Sequence, residues 1–165
     1  KTLEKVTTYH FGENNGAFRG CSNLKEVRFE EGTKKVAEYL FTNCPGLEKI
    51  TIPEGIETIG NGAFAGCGNL TDIIMPGSVT TIGNSAFEST GKVKKIEIGR
   101  GTVTIADNAF KNCNELEEVS LPDTIETIGV NAFQNDQKIT GLKLPKNIKT
   151  MGYGAFGECT GLTEI

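Results

Sequence analysis

The stretch Ala63-Phe64-Ala65-Gly66-Cys67 decides how this chain folds, because it recurs at a fixed spacing along the sequence. Each copy places a phenylalanine 23 residues after the previous one, at Phe18, Phe41, Phe64, Phe87, Phe110, Phe133 and Phe156. All five cysteines lie three residues after one of these, at Cys21, Cys44, Cys67, Cys113 and Cys159. A fixed period of roughly 20–50 residues is the signature of a repeat protein whose units stack into one continuous core.

One complete repeat covers residues 47–69 and begins with a predicted strand. Ile50-Thr51-Ile52 alternates between apolar and polar side chains, which predicts a short strand with both isoleucines facing the core. Pro53 ends this strand because proline has no N–H to donate. Equivalent strands of successive repeats are then expected to pair in parallel, about 4.8 Å apart.

The rest of the repeat predicts a corner that carries the phenylalanine. Ile56 to Ile59 indicates either a second irregular strand or a turn, since the apolar residues are three apart. Gly60 permits a sharp change of direction. Asn61 is a suitable N-cap for one turn of α- or 3₁₀-helix that carries Phe64 into the core.

The cysteines are predicted to be buried apolar side chains, one in each turn of the stack. Their number is odd, and equivalent side chains of stacked repeats point the same way, which is poor geometry for a disulfide. Thr90 and Asp136 occupy this position in two repeats. A metal site is not expected, because His10 is the single histidine and no Cys-x-x-Cys pair is present.

The two ends of the chain are irregular. The first repeat is shortened ahead of Phe18, and the second has Glu30 at the position of Pro53. At the other end residues 162–165 stop in the middle of a predicted strand. We therefore expect a single solenoid segment over residues 1–165, with degenerate first repeats, a truncated last one and about seven repeats, taken from a longer array.

The full pattern is Leu-x-x-Ile-x-Ile-Pro-x-x-Ile-x-x-Ile-Gly-x-x-Ala-Phe-x-x-Cys-x-x, which residues 47–69 match at every specified position. This pattern resembles the BspA-like leucine-rich repeats. The resemblance implies a right-handed leucine-rich-repeat-like solenoid with a parallel concave sheet and short helical or 3₁₀ turns. It also implies a bacterial protein that is secreted or attached to the cell surface and acts as an adhesin or protein-binding module. The Asn ladder usual in leucine-rich repeats is replaced here by the proline turn.

A candidate binding face follows from the predicted strands, whose second, third and fifth positions point to solvent. The signs of charge alternate from repeat to repeat at the third position, so opposite charges are expected to face each other across neighbouring strands. These side chains either only keep the sheet in register and soluble or form a mixed-charge binding face. The candidate binding residues are Glu26, Arg28, Lys49, Thr51, Asp72, Ile74, Lys95, Glu97, Glu118, Ser120 and Lys143. Ile74 is the apolar exception among them.

Composition argues against several other functions. The formal net charge of −4, with both signs mixed, indicates neither a nucleic-acid-binding surface nor attraction to anionic membranes. No apolar run approaches the roughly 20 residues that would cross a bilayer, so membrane insertion is not expected. The cysteine nearest in sequence to the single His10 is Cys21, which the repeat register buries, and no phosphate-binding glycine loop is present, so we expect neither an enzyme nor a cofactor.

The sequence therefore predicts an extracellular or cell-surface repeat module that binds other proteins, such as host surface or matrix proteins. A passive spacer or stalk that presents another domain is the alternative. End-to-end self-association is a further expected mode of contact. The 165 residues begin at Lys1 without a basic and then apolar leader, so we do not expect a signal peptide among them.

Overall fold

The computed structural model describes residues 5–8 and 16–165, which form a parallel β-solenoid. Turns of the described chain contribute short strands to two faces, and the last turn has only an isolated bridge, Gly141 to Glu164, on the first face. The first face is formed by β1 (Lys5–Thr8), β2 (Glu26–Phe29), β4 (Lys49–Ile50), β6 (Asp72–Ile74), β8 (Lys95–Glu97) and β10 (Glu118–Ser120). The second face is formed by β3 (Lys35–Val36), β5 (Thr58–Ile59), β7 (Thr81–Ile82), β9 (Thr104–Ile105), β11 (Thr127–Ile128) and β12 (Thr150–Met151).

Strand pairing on the first face follows the 23-residue period. Asp72 lies opposite Lys95, and Lys95 lies opposite Glu118, all in parallel register. The strands form two three-stranded sheets, β1-β2-β4 and β6-β8-β10, and a backbone bond of 3.3 Å from Thr71 N–H to the Glu48 carbonyl continues between them. The predicted parallel stacking of equivalent residues is confirmed.

These strands begin one position earlier than Ile50-Thr51-Ile52 predicted. In the complete repeat, β4 contains only Lys49 and Ile50. Ile52 is nevertheless 6% exposed, so its predicted burial is confirmed outside the strand. Because Pro53 offers no N–H, the ladder of backbone bonds does not continue there.

The segment from Ile56 to Ile59, for which the spacing allows a strand or a turn, ends in a second strand. Thr58–Ile59 and its equivalents form one six-stranded parallel sheet in the order β3-β5-β7-β9-β11-β12. Six turns of the described chain contribute to it, where the sequence predicted about seven repeats. The corresponding part of the first repeat falls in residues 9–15, outside the described residues.

The core is a continuous stack of aromatic rings flanked by columns of aliphatic side chains. Successive rings from Phe18 to Phe156 lie 5.2–5.7 Å apart between centroids, and their planes differ by no more than 17°. This spacing lies within the range of favourable offset stacking. The five rings from Phe41 to Phe133 are fully buried. One repeat alone could not bury such a ring, so adjacent turns stabilise each other.

The corner that carries the phenylalanine is not a helix, and this part of the sequence prediction is wrong. No residue of the described ranges 5–8 and 16–165 is in an α- or 3₁₀-helix. Instead, the residues two before and two after each phenylalanine have positive φ, as Gly62 (57°) and Gly66 (72°) show for Phe64. The equivalent pairs are Gly16 and Gly20, Tyr39 and Asn43, Ser85 and Ser89, Asn108 and Asn112, Asn131 and Asn135, and Gly154 and Glu158.

This alternating backbone directs hydrogen bonds between turns. The N–H groups of Gly62, Phe64 and Gly66 donate to carbonyl oxygens of the next turn, each at 2.8 Å. In a helix, the same N–H groups would instead face carbonyls of their own segment. The left-handed positions favour residues that tolerate positive φ, which explains why glycine and asparagine are frequent there.

Asn61 is therefore not an N-cap but the first member of a side-chain ladder between turns. Its Oδ1 accepts the backbone N–H of Asn84 at 2.8 Å, and Asn84 Oδ1 accepts the N–H of Asp107 at 3.1 Å. Asp107 Oδ1 accepts the N–H of Val130 at 2.7 Å. Val130 has no side-chain acceptor, so the ladder ends at that turn.

Candidate functional site

The outward positions of the first face bring all the candidate residues onto one surface. We define the variable face as Glu26, Arg28, Lys49, Thr51, Asp72, Ile74, Lys95, Glu97, Glu118, Ser120 and Lys143. All are exposed except Glu26, which is partly buried. The residues between them, such as Ile73 and Ile96, are fully buried, as expected for strands with one face on the core.

Ion pairs on the variable face form within a strand as well as between neighbouring strands. Lys95 Nζ lies 2.8 Å from Glu97 on its own strand and 3.7 Å from Glu118 on the next strand. The hydrogen bond from Lys95 to Glu97 and the two carboxylates raise the pKa of the lysine. Arg28 likewise lies 2.8 Å from Glu26, two positions away. Alternate residues of a strand share a face, so pairs of this kind compete with those across strands.

The predicted charge pairing across strands is therefore confirmed at one place and replaced at another. Lys95 and Glu118 pair as expected. Within the described residues no ion pair joins Asp72 to Lys95, although their Cα atoms are opposite each other. Thr71 Oγ1 donates to Asp72 Oδ2 at 3.0 Å instead. Exposed ion pairs contribute only about 0.2–1 kcal/mol each to stability, so these pairs hold their side chains in place only weakly.

Ile74 is the apolar centre of this polar surface. Its side chain is 63% exposed, and its Cα lies opposite Glu97 on β8. An apolar side chain held on a sheet among charged residues is a suitable anchor for a partner, because burying it on binding is favourable.

The second face differs from the first at its outward strand positions, which repeat one residue type. Its outward strand positions from β5 onward are all threonine, at Thr58, Thr81, Thr104, Thr127 and Thr150. Threonine is β-branched and suits a pleated, half-buried surface. A column of one residue type that fits the strand is explained by the fold itself, whereas the mixture on the variable face is not.

Two shallow depressions of the variable face are open to solvent. One of about 690 Å³ lies at the β2–β4 end, with Val27, Arg28 and Lys49 in its lining. Another of about 600 Å³ includes Lys95 and Ser120. Small-molecule sites bury most of their ligand in a closed cleft, so this surface is better suited to an extended macromolecular partner.

The buried thiols lack the character of nucleophiles. Cys67 donates its S–H to the Phe41 carbonyl at 3.2 Å, and burial raises its pKa to about 12. Burial likewise raises the pKa of Cys159 to about 11. A reactive cysteine needs a lowered pKa and access to solvent. His10 lies outside the described residues, so the proposed absence of catalysis stays a prediction.

Residues 5–8 and 16–165 contain no group of three or more histidine, cysteine, aspartate or glutamate side chains arranged to hold a metal ion. No helix in this part of the chain is both long enough and apolar enough to cross a bilayer. The five cysteines are free thiols, and all but the partly exposed Cys21 are buried, as the repeat register predicted.

Stacked 23-residue turns with a phenylalanine column are also found in a known repeat family. Residues 14–114 and 82–165 match the BspA type leucine rich repeat region, in six copies. The chain belongs to this family. The fold expected from the resemblance is thereby confirmed, apart from the helical turns. Leucine-rich repeats of this kind generally mediate protein interactions.

Solved structures of other bacterial proteins share the fold. A leucine-rich repeat protein from Bacteroides ovatus is 33% identical with a TM-score of 0.86, over 97% of this chain and 44% of that protein. A leucine rich cell surface protein from Faecalibacterium prausnitzii is 27% identical with a TM-score of 0.83, over 99% of this chain and 47% of that protein. This leucine-rich repeat chain thus spans less than half the length of both relatives. No curated protein sequence matches it.

Proposed function

We propose that this leucine-rich repeat chain is the protein-binding part of an extracellular or cell-surface bacterial protein, and that its partner binds across the variable face. The observation that carries the proposal is the exposed apolar side chain of Ile74 among charged side chains that vary from turn to turn. The second face repeats threonine in five successive turns, which the strand structure explains. The first face varies from rung to rung, which a structural role does not require.

The chemistry of the variable face favours a folded protein as partner. Lys95 is neutralised within the face by Glu97 and Glu118, so long-range attraction for a highly charged polymer is weak. Ile74 supplies an apolar anchor, with the exposed cation of Lys49 nearby on β4. A few central anchors inside a polar rim are typical of protein interfaces.

The relative from Faecalibacterium prausnitzii is described as a cell surface protein, which supports a location at the surface. An adhesive role follows from that location if the partner is a host protein. We propose host surface or matrix proteins as the class of partner, since a module at the cell surface would meet proteins outside the cell.

The experiment compares matched substitutions on the two faces. The purified chain is tested against immobilised purified extracellular-matrix proteins, and the affinity for each bound protein is measured for Ile74→Asp, Lys49→Glu and Val103→Asp. Val103 is the matched control, since it is an exposed apolar side chain, 38% accessible, directly before β9. We expect a loss of affinity on the order of tenfold for the first two variants and none for the third. Circular dichroism and thermal unfolding verify that all three remain folded.

Equal weakening by Val103→Asp, or unchanged binding by both first-face variants, would exclude the variable face as the site. Absence of binding to every matrix protein would exclude matrix proteins as the partners.

A spacer role is the second candidate, favoured by the uninterrupted ring stack from Phe18 to Phe156. Stacking of this kind makes a stiff rod whose length grows with each turn. A spacer predicts that deletion of one whole turn, residues 70–92, shortens the reach of whatever it carries. It also predicts that Ile74→Asp has no effect on adhesion of cells displaying the protein.

A further inference from the structure

Asp136 occupies the cysteine position of its repeat and is completely buried. Its Oδ1 accepts the backbone N–H of Cys113 at 2.7 Å. Its Oδ2 has no hydrogen-bond partner among the described residues. A buried carboxylate with one unpaired oxygen is costly, so this position calls for a physical explanation.

The cysteines of the other turns show what this position normally does. Each of the four buried thiols donates to the carbonyl oxygen of the phenylalanine 26 residues earlier. The bonds are Cys44 to Phe18 (3.1 Å), Cys67 to Phe41 (3.2 Å), Cys113 to Phe87 (3.5 Å) and Cys159 to Phe133 (3.0 Å). The same spacing assigns the Phe110 carbonyl to Asp136 as its acceptor.

The Phe110 carbonyl oxygen has no donor within the described residues. In the complete repeat, Cys67 N–H donates to the carbonyl of Phe64 in its own turn at 3.1 Å. The equivalent N–H, that of Cys113, is directed to Asp136 Oδ1 instead. An acceptor without a donor and a carboxyl oxygen without a partner thus remain on the two turns where the repeat register expects this bond.

One proton satisfies both groups. A carboxylate has only acceptor atoms and would face the Phe110 carbonyl with matching negative partial charge, whereas a carboxylic acid carries an O–H donor. We propose that Asp136 is a carboxylic acid in the folded solenoid, that its Oδ2–H is donated to the Phe110 carbonyl, and that loss of this proton opens the stack at this turn.

The surroundings support the neutral form. The titratable side chains that influence one another at this site are Asp136, the thiols of Cys113 and Cys159 on the turns before and after it, and Glu88, which acts on Cys113. Burial raises the pKa of Asp136 to about 8, opposed only by the N–H of Cys113. No lysine or arginine of the described chain lowers the pKa of Asp136.

Ionisation above that pH places a negative charge in an apolar column, and the proton passes to solvent. The carboxylate and the Phe110 carbonyl then repel each other, so the turn that carries Phe133 separates from the turn that carries Phe110. This separation breaks the stacking of the two rings, whose centroids are 5.2 Å apart in the closed solenoid. The opening is reversible, since lowering the pH restores the Oδ2–H of Asp136 as a donor.

The protonation state is tested by carbon NMR on protein labelled in the carboxyl group of aspartate. The chain contains four aspartates, so the resonance that disappears in Asp136→Asn identifies this residue. We expect that resonance to titrate around pH 8 in the folded protein. Titration below about pH 5, near the ordinary range of a carboxyl group, would overturn the proposal.

The opening is tested by hydrogen exchange at pH 6 and pH 9, after correction for the intrinsic rate. In the wild type, amides of residues 110–136 should exchange about a hundredfold faster at pH 9, because opening lets Asp136 ionise at its ordinary pKa, so each pH unit up to about pH 8 favours the open state tenfold. Asp136→Asn keeps the shape and supplies a permanent donor, so its increase should stay below about twofold. Asp72→Asn, at an exposed position, should behave as the wild type. An equal increase in Asp136→Asn, or none in the wild type, would overturn the proposal.

Discussion

Restoring the cysteine of the repeat pattern at position 136 should stabilise the solenoid in a pH-dependent way. The ordinary pKa of an aspartate is 3.8, and burial raises that of Asp136 to about 8. Between these two values the unfolded chain has released its proton and the folded chain has not. The folded state therefore binds more protons, and the free energy of unfolding falls as pH rises through this window.

The size of the effect follows from the width of the window. At about 1.4 kcal/mol for each pH unit, the loss reaches about 4 kcal/mol at pH 7 and about 6 kcal/mol at pH 8. Asp136→Cys removes this loss, since a buried thiol is neutral in both states over most of the range. We expect the variant and the wild type to differ least at pH 4 and most near pH 8.

The assay is urea unfolding at pH 4, 5.5, 7 and 8, followed by circular dichroism. Because stacked repeats need not unfold in one step, the curves are fitted with a nearest-neighbour description of the turns. Glu115 and Asp123 have lowered pKa values, through Lys138 and through the N–H of Lys146 respectively. Their contribution is lost as pH falls through the ordinary carboxyl range, so it affects the measurement at pH 4 and not those from pH 5.5 to pH 8. A wild-type stability that is constant between pH 4 and pH 8, or a variant with the same slope, would refute the reasoning.

Three further predictions concern the corner and the core. Gly62→Ala should lower the free energy of unfolding in urea by about 1–3 kcal/mol, because φ is 57° and the new Cβ would lie 2.5 Å from the ring of Tyr39. The control Gly68→Ala places its Cβ in open space and should be nearly neutral. Equal costs for the two variants would contradict the left-handed assignment. Phe87→Ala should cost about 3–5 kcal/mol by the same measurement, since it removes a fully buried ring stacked on both sides. Thiol titration should find all five cysteines free after denaturation, with Cys21 reacting first in the native protein because it alone is partly exposed; fewer than five reactive thiols would argue against the cysteine column.

The spacing of the phenylalanines was sufficient to predict which residues stack on which. A strict period places each residue beside its equivalent in the next turn, so the register of Asp72 with Lys95 follows without knowledge of any angle. The exposure of the variable face was predictable for the same reason, including the solvent-facing Ile74. Which of these residues bind a partner stays a prediction.

The corner could not be predicted from local preferences. Asn61 followed by Gly62 and Ala63 is compatible with a capped helical turn, and the competing bonds to Asn84 and Ala86 exist only once the next turn is in place. A signal was nevertheless present, since glycine, asparagine and serine recur two residues on either side of most phenylalanines. Those residues accept positive φ more readily than others, glycine above all.

The sequence by itself determined the period, the buried columns, the parallel register and the exposed face, because each depends only on position within a repeat. The tertiary structure alone decided the left-handed corner, the pairing of Lys95 with Glu97 as well as Glu118, and the environment of Asp136. These depend on distances between turns, on side-chain rotamers and on desolvation. A residue's place in the pattern shows that it is buried, whereas its protonation depends on which donors and acceptors meet it there.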